Sequence, residues 1–419
     1  MQWFSPDRGV HVGHAIRGSS RGAGLLALAL VTASCSEDTA VQSGQASQAP
    51  STAAAAAVVT VAPLDRAGGV PTDTPVLVAA QGGTLRQVAV RAVKGAKGSL
   101  PGVLSADGTQ WRSRVTAAPG ASYEVSVTAV NPAGAVTTKT SSFSTVKKKE
   151  TFTIESFMPG KDSTGVTVGV GMPVMITFDR DVSDRVSIER NLFVRTSRPV
   201  LGAWHWFDNR NVHFRPKSFW PSGTKVRVEA RLAGVRGGEG LYGATNKIVN
   251  FKIGRSQITR GSVQSHNLTV KRNGKVVREM PMSAGQGGVW KYHTTSGVHL
   301  AMSREDVTVM TSPGIGPGSA GYYQLTVYDT VRISNSGEYI HSAPWSVGSQ
   351  GNSNVSHGCV NVSPSNAKWF LDNTLIGDPI IITGSPRALE PTNGWGHWQE
   401  SWKQWLKWSS LKHFNTEDV

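Results

Sequence analysis

Thiols are almost missing from this chain: its 419 residues contain two cysteines, Cys35 and Cys359. So few cysteines exclude a disulfide framework as the source of stability. Acidic residues are also in deficit, with 28 Asp and Glu against 43 Lys and Arg, a formal charge of +15. That balance favours a polyanionic setting such as nucleic acid, an anionic membrane or an anionic wall polymer. No Lys/Arg-rich recognition helix, zinc-finger spacing or aromatic RNA-binding signature appears, which argues against nucleic acid and leaves an anionic surface. The apolar run near the N-terminus, GLLALALVTA, is far shorter than the ~20 residues that span a bilayer, so no permanent transmembrane helix is expected there.

What the N-terminus does have is an export pattern. Arg8, Arg17 and Arg21 precede that apolar run, and small residues follow it. With Thr32, Ala33 and Ser34 before Cys35, residues 1–35 resemble a bacterial lipoprotein signal, although Thr32 stands where that pattern prefers Leu. The resemblance implies cleavage and lipidation at Cys35; the alternative is a plain secretory signal. Residues 36–57 are rich in Ser, Ala and Gln with few large apolar side chains and read as a flexible tether.

The length allows two to four domains at roughly 100 to 200 residues each. Short alternating runs recur from 58 to 148 (VTVAP, PVLVAA, VAVRAV, YEVSVTAV) and again from 149 to 254 (PVMITF, LFVRT, NVHFRP, KVRVEARL). Period-2 alternation between Gly and Pro turns predicts two tandem immunoglobulin-like β-sandwiches, joined near the charged stretch VKKKE. The halves echo each other, TPVLVAA against MPVMITF. Neither carries a cluster of catalytic residue types, so they read as spacers or binding surfaces.

From 255 to 384 the texture changes and a third, β-rich domain is expected. Asn273-Gly274 predicts a hairpin turn with positive φ at both central residues. Residues 311–323 form a long Gly-rich loop of the kind that covers a site. GEYIHSAPW predicts a strand to His341, SHGCVNV another to Cys359, and GDPIIIT a buried closing strand. Ser363 as N-cap and Pro364 at the first helical position predict one helix between the last two. In the tail, 385–419, Trp395, Trp398, Trp402, Trp405 and Trp408 are spaced 3, 4, 3 and 3, which predicts five indoles on one helical face. That face would either lie on a membrane surface or dock on the preceding domain.

An unpaired cysteine in an exported chain is either a buried apolar residue or a reactive group. A thiol needs a neighbouring base to become a nucleophile at neutral pH. His357, on the same face if the stretch is extended, and His341, across the sheet, both qualify, and spacing does not choose between them. Gly358 permits close approach to the sulfur. Backbone N–H groups of 357–359 could point at a developing oxyanion, and Asn361 could fix substrate or loop. Zinc held by His341, His357 and Cys359 is a competing reading, weakened by the lack of a second ligand pair. An inert buried Cys is another.

The stretch IHSAPWSVGSQGNSNVSHGCVNVSPSNAKWF resembles the active-site signature of the L,D-transpeptidases, the YkuD-type catalytic domain: a histidine, about fifteen residues, then Ser/Thr-His-Gly-Cys-x-Asn. Here those positions are His341, Ser356, His357, Gly358, Cys359 and Asn361. The order of lipoprotein-like signal, two immunoglobulin-like modules, catalytic domain and Trp-containing tail is similar to the actinobacterial members. The resemblance implies Cys359 as nucleophile and His341 as general base assisted by the Ser342 carbonyl. It also implies His357 and the Gly358 to Cys359 amides bordering the oxyanion site, and Met310, Tyr323, Trp345, Ser356 and Asn361 around the substrate.

It further implies attack on the bond between a diamino acid and D-alanine in a peptidoglycan tetrapeptide stem. D-Ala would be released, and a second stem would resolve the thioester as a 3→3 cross-link. Carbapenems are expected to acylate Cys359, and no metal or organic cofactor is required. The expected place is outside the cytoplasm, lipid-anchored and facing the anionic wall. One departure is TTSG at 294–297, where many relatives carry Thr-Pro-x-Gly. Competing outcomes are an enzyme that hydrolyses the stem or attaches a protein to it, and a catalytically dead wall-binding protein.

Overall fold

In Val58–Ala62 and Ser122–Val130 every second residue is buried, the signature of strands with one face on a core. The computed structural model describes residues 55–160, 164–312, 315–320 and 322–412, with the backbone of 414–415 and 417–418. The signal, Cys35 and most of the tether lie outside the described residues. The chain is mainly β, as the alternation predicts.

Residues 57–143 form one sandwich around Val78, Val90, Trp111, Val125 and Phe143. One sheet runs in the order Val58–Ala62, Leu77–Gln81, Gln110–Ser113, Gly102–Leu104; the other is Ala67–Val70, Val136–Thr145, Ser122–Val130, Thr84–Lys94. The next hundred residues repeat both orders. Ile154–Met158, Val174–Phe178, Asn211–Pro216 and Leu201–Trp206 make the first sheet, and Thr164–Val168, Lys247–Ile253, Lys225–Ala230 and Leu192–Thr196 the second. Even the parallel pairing that opens the second sheet recurs. The echo read in the sequence is thus a repeat of topology. This second core is the richer in aromatics, with Trp204, Trp206, Phe178 and Phe214 all sealed from water. Each such side chain contributes about 1.5–3 kcal/mol of gross apolar burial.

The third domain starts with β1 (Gln257–Ser262), β2 (Asn267–Arg272) and β3 (Lys275–Pro281). The turn between β2 and β3 has Asn273 at φ 50° and Gly274 at φ 83°, as its residue pair requires. Next come β4 (Gly297–Leu300), β5 (Ser303–Thr311), β6 (Gln324–Arg332), β7 (Tyr339–Ser342), β8 (Val360–Val362), α1 (Pro364–Asn373) and β9 (Pro379–Thr383). One sheet has the order β3-β2-β1-β9-β4 and the other β5-β6-β7-β8. Their shared core holds Leu268, Met280, Ile340, Val360, Phe370 and Ile382. Ser363 caps α1 by accepting from the Asn366 N–H, and Pro364 takes the first helical position.

The catalytic-type domain is fastened to the second sandwich. Gly169 N–H donates to Ile376 O at 2.7 Å and Gly171 N–H to Gly377 O at 2.9 Å. Beside them the buried Asp378 carboxylate pairs with Arg255 at 2.8 Å.

The tail corrects the helical expectation. Among the described residues of the tail only α2 (Trp402–Trp405), extended by a 3-10 turn at 406–408, is helical; Trp395 and Trp398 sit in a run of turns. The five indoles therefore do not share one helical face: Trp405 is sealed, while Trp408 is 57% exposed. The reason is a cation. Arg215 of the second sandwich places its guanidinium 4.8, 5.5 and 4.6 Å from the rings of Trp398, Trp402 and Trp405, and indoles gather round it rather than along a helix. Trp405 donates from Nε1 to Ala203 O at 3.0 Å and stacks on His205. Docking is thus chiefly on the second sandwich, with the catalytic-type domain held by Gln399 through its Nε2–Val298 O bond at 2.9 Å.

Candidate active site

The parallel pair β7/β8 sets the site. Ile340 lies opposite Val360 and His341 opposite Asn361. Side chains alternate across a sheet, so Ile340, Val360 and Val362 enter the core while Tyr339, His341 and Asn361 face a cleft of about 700 Å³, which Cys359 lines from the turn before β8. Of the residues expected at the site, Met310, Tyr323, His341, Trp345, Ser356, His357, Gly358, Cys359 and Asn361 all line it. Ser342 contributes only its carbonyl.

His341 is 3% exposed, and its Nδ1 is 2.9 Å from Ser342 O. A carbonyl only accepts, so Nδ1 carries the proton and Nε2 keeps a free lone pair. Burial lowers the pKa of the ring against the opposing pull of that carbonyl, so it is neutral at pH 7. Trp345 lies 6.0 Å from the ring, centroid to centroid.

Cys359 is half-buried at the mouth of the turn that enters β8. Desolvation pushes its thiol up to about 12; a Tyr339 N–H pulls the other way and the Glu338 carboxylate adds to the rise. The thiol donates to Gly337 O at 3.5 Å, and among the described residues no hydrogen bond joins it to His341.

The turn before it is tightly bound. Ser356 Oγ donates to Cys359 O at 2.6 Å and accepts from Gly358 N–H at 3.1 Å. Gly358 has φ +128°, a conformation that side-chain-bearing residues avoid. This geometry changes two expectations. The stretch 356–359 is a turn, not a strand, so His357 is exposed and does not share a strand face with Cys359. It packs instead between Tyr292 at 4.4 Å and Tyr323 at 5.5 Å. The Gly358 N–H is also occupied by Ser356, which removes it from the oxyanion donors in this conformation. Asn361 is buried and donates from Nδ2 to Ser346 Oγ at 3.1 Å, bracing the loop that carries Trp345.

Among the described residues no group of three His, Cys, Asp or Glu is placed to hold a metal ion. Sequence reasoning missed Glu338, Thr294, Thr295, Lys291 and Arg387. Glu338, Lys291 and Arg387 line the cleft. Thr294 Oγ1 donates to Gly358 O at 2.7 Å and accepts from Gly285 N–H at 2.8 Å. Glu338 stands three residues before His341, and the TTSG departure already marked both threonines; Lys291 and Arg387 left no local signal.

Comparison with known proteins identifies the domains. Residues 67–236 match the bacterial Ig domain family, and 260–382 match the L,D-transpeptidase catalytic domain, YkuD. The chain is 38% identical to L,D-transpeptidase 2 of Mycobacterium tuberculosis over 83% of each sequence. It is 34% identical to L,D-transpeptidase 5 of the same organism, over 84% of this chain and 77% of that one. A solved L,D-transpeptidase from Mycobacterium smegmatis is 35% identical, with a TM-score of 0.45, over 56% of this chain and 99% of the other. With relatives this similar over more than four-fifths of its length, the chain belongs to the L,D-transpeptidases.

Proposed function

We propose that this enzyme forms 3→3 cross-links between peptidoglycan stems through a thioester on Cys359. The observation that carries the reading is that His341, on β7, and Cys359, in the turn entering β8, line one cleft, with the His341 Nε2 lone pair unused. Because the thiol is raised and the imidazole lowered, the resting pair is neutral. In the proposed reaction the Cys359 side chain turns from Gly337 O towards His341 Nε2. The proton passes to Nε2 as the sulfur attacks the carbonyl between the diamino acid and D-Ala. Collapse of the tetrahedral adduct breaks the C–N bond, and the His341 imidazolium returns the proton to the departing D-Ala amine. The acceptor's side-chain amine then attacks the thioester, gives a proton to His341, and the released thiolate recovers it. Met310, Tyr323 and Trp345 would border the stem.

In the same reading the chain is exported and anchored by lipid at Cys35, its positive charge faces the anionic wall, and the sandwiches carry the cleft outward. Carbapenems, whose strained carbonyl resembles the donor, would acylate Cys359. The test is incubation with disaccharide-tetrapeptide followed by mass spectrometry. A cross-linked dimer plus D-Ala, both lost in Cys359→Ala, supports the proposal. Free tripeptide without dimer points to hydrolysis, and no turnover with wall binding intact in Cys359→Ala points to a binding protein.

A further inference from the structure

The sulfur of Cys359 donates to Gly337 O at 3.5 Å, and the residue after Gly337 lies beside it. That residue is Glu338, whose side chain turns inward and is only 3% exposed. Its Oε1 accepts from Thr295 N–H at 2.6 Å and its Oε2 from Thr295 Oγ1 at 2.8 Å. Thr295 Oγ1 gives its only proton to Glu338, so it accepts from His299 Nε2 at 2.7 Å. The next residue back, Thr294, grips the Gly358 carbonyl. Two adjacent threonines thus hold the nucleophile from both sides. A proline at 295, as in the Thr-Pro-x-Gly stretch of similar proteins, has neither the N–H nor the hydroxyl, so both bonds to Glu338 depend on Thr295.

We propose that Glu338 is a positioning residue for the nucleophile: clamped by Thr295, it fixes the Gly337 carbonyl against the sulfur. A buried carboxylate beside the thiol opposes its ionisation. The clamp would suppress adventitious alkylation or oxidation of Cys359, since the thiolate is the reactive form. It rests on the reading of Cys359 as the nucleophile, and it deepens that reading by naming what restrains it. The other titratable groups facing the cleft are His341, His357, Tyr323, Tyr339, Lys291 and Arg387, with His299 behind Glu338.

The experiment is the pH profile of Cys359 alkylation by iodoacetamide, followed by intact mass, on the full chain. This readout needs no stem peptide, so its outcome is independent of whether cross-links form. Glu338→Gln keeps the shape and removes the charge. Its midpoint is expected about one pH unit lower than wild type, with about ten-fold faster alkylation below both midpoints. Thr295→Pro should shift the midpoint in the same direction, and the double variant no further than Glu338→Gln alone. Thermal unfolding accompanies each variant; if Thr295→Pro does not fold, Thr295→Val, which keeps the N–H, should give a smaller shift of the same sign. Superimposable profiles for Glu338→Gln and wild type, or an upward shift, overturn the proposal. Additive shifts in the double variant overturn the clamp between the two residues.

Discussion

Replacing Gly358 by Ala tests whether backbone conformation aims the sulfur. The residue has φ +128°, and a Cβ built there meets nothing nearer than Glu338 Cγ and the Lys291 carbonyl, both at 3.9 Å. Crowding is therefore absent, and the cost is conformational strain of about 1–3 kcal/mol. If the turn absorbs that strain unchanged, only stability falls, by roughly 3–6 °C in Tm per kcal/mol for a domain of this size. If the turn relaxes, Gly358 N–H leaves Ser356 Oγ, Thr294 loses the Gly358 carbonyl, and the sulfur is re-aimed. Each 1.4 kcal/mol of misalignment then slows acylation about ten-fold. We expect both: a Tm several degrees lower and carbapenem acylation of Cys359 slowed at least ~10-fold in intact-mass time courses. Gly348→Ala is the control, since its Cβ meets nothing within 4 Å and its φ is ordinary. A Gly358→Ala variant that matches wild type in both Tm and acylation would refute the claim that this φ places the thiol.

The base assignment predicts a pH profile. Burial holds His341 below its ordinary value, and a general base works only when unprotonated, so acylation should rise with pH through a midpoint under 6.5 and flatten towards neutrality. His341→Ala should abolish acylation, whereas His357→Ala, removing an exposed ring stacked on Tyr323, should only slow it; equal losses would unseat His341. In the tail, Trp405→Ala empties a sealed site and orphans the Ala203 carbonyl, so stability should fall by about 3–5 kcal/mol in denaturant melts, with new proteolytic cleavage at 391–412. Unchanged melting would show that the tail is not docked through this ring.

Much of the fold was legible because strands with one solvated face advertise themselves residue by residue. Alternation in YEVSVTAV, the Asn273-Gly274 turn and the Ser363-Pro364 helix start are local, and each element stands where its residues place it. The tail failed for the opposite reason. Indole spacing carries a helical period, but Arg215, about 180 residues away, competes for the same rings and decides where they go. The site divides along the same line. The histidine, the thiol and their spacing are local, whereas choosing between His341 and His357 required knowing that 356–359 turns instead of extending.

By itself the sequence determined the β-rich class, the repeated sandwich pattern and the chemistry of a lone thiol in an SHGCVN setting, because these depend on neighbours within a few residues. The tertiary structure decided which imidazole is buried with its Nδ1 held by a backbone carbonyl, which amide Ser356 occupies, and that Thr294 and Thr295 reach across more than forty residues to Gly358 and Glu338. Hydrogen bonds between distant segments form only when the sheets bring them within 3 Å, and no local pattern records that distance.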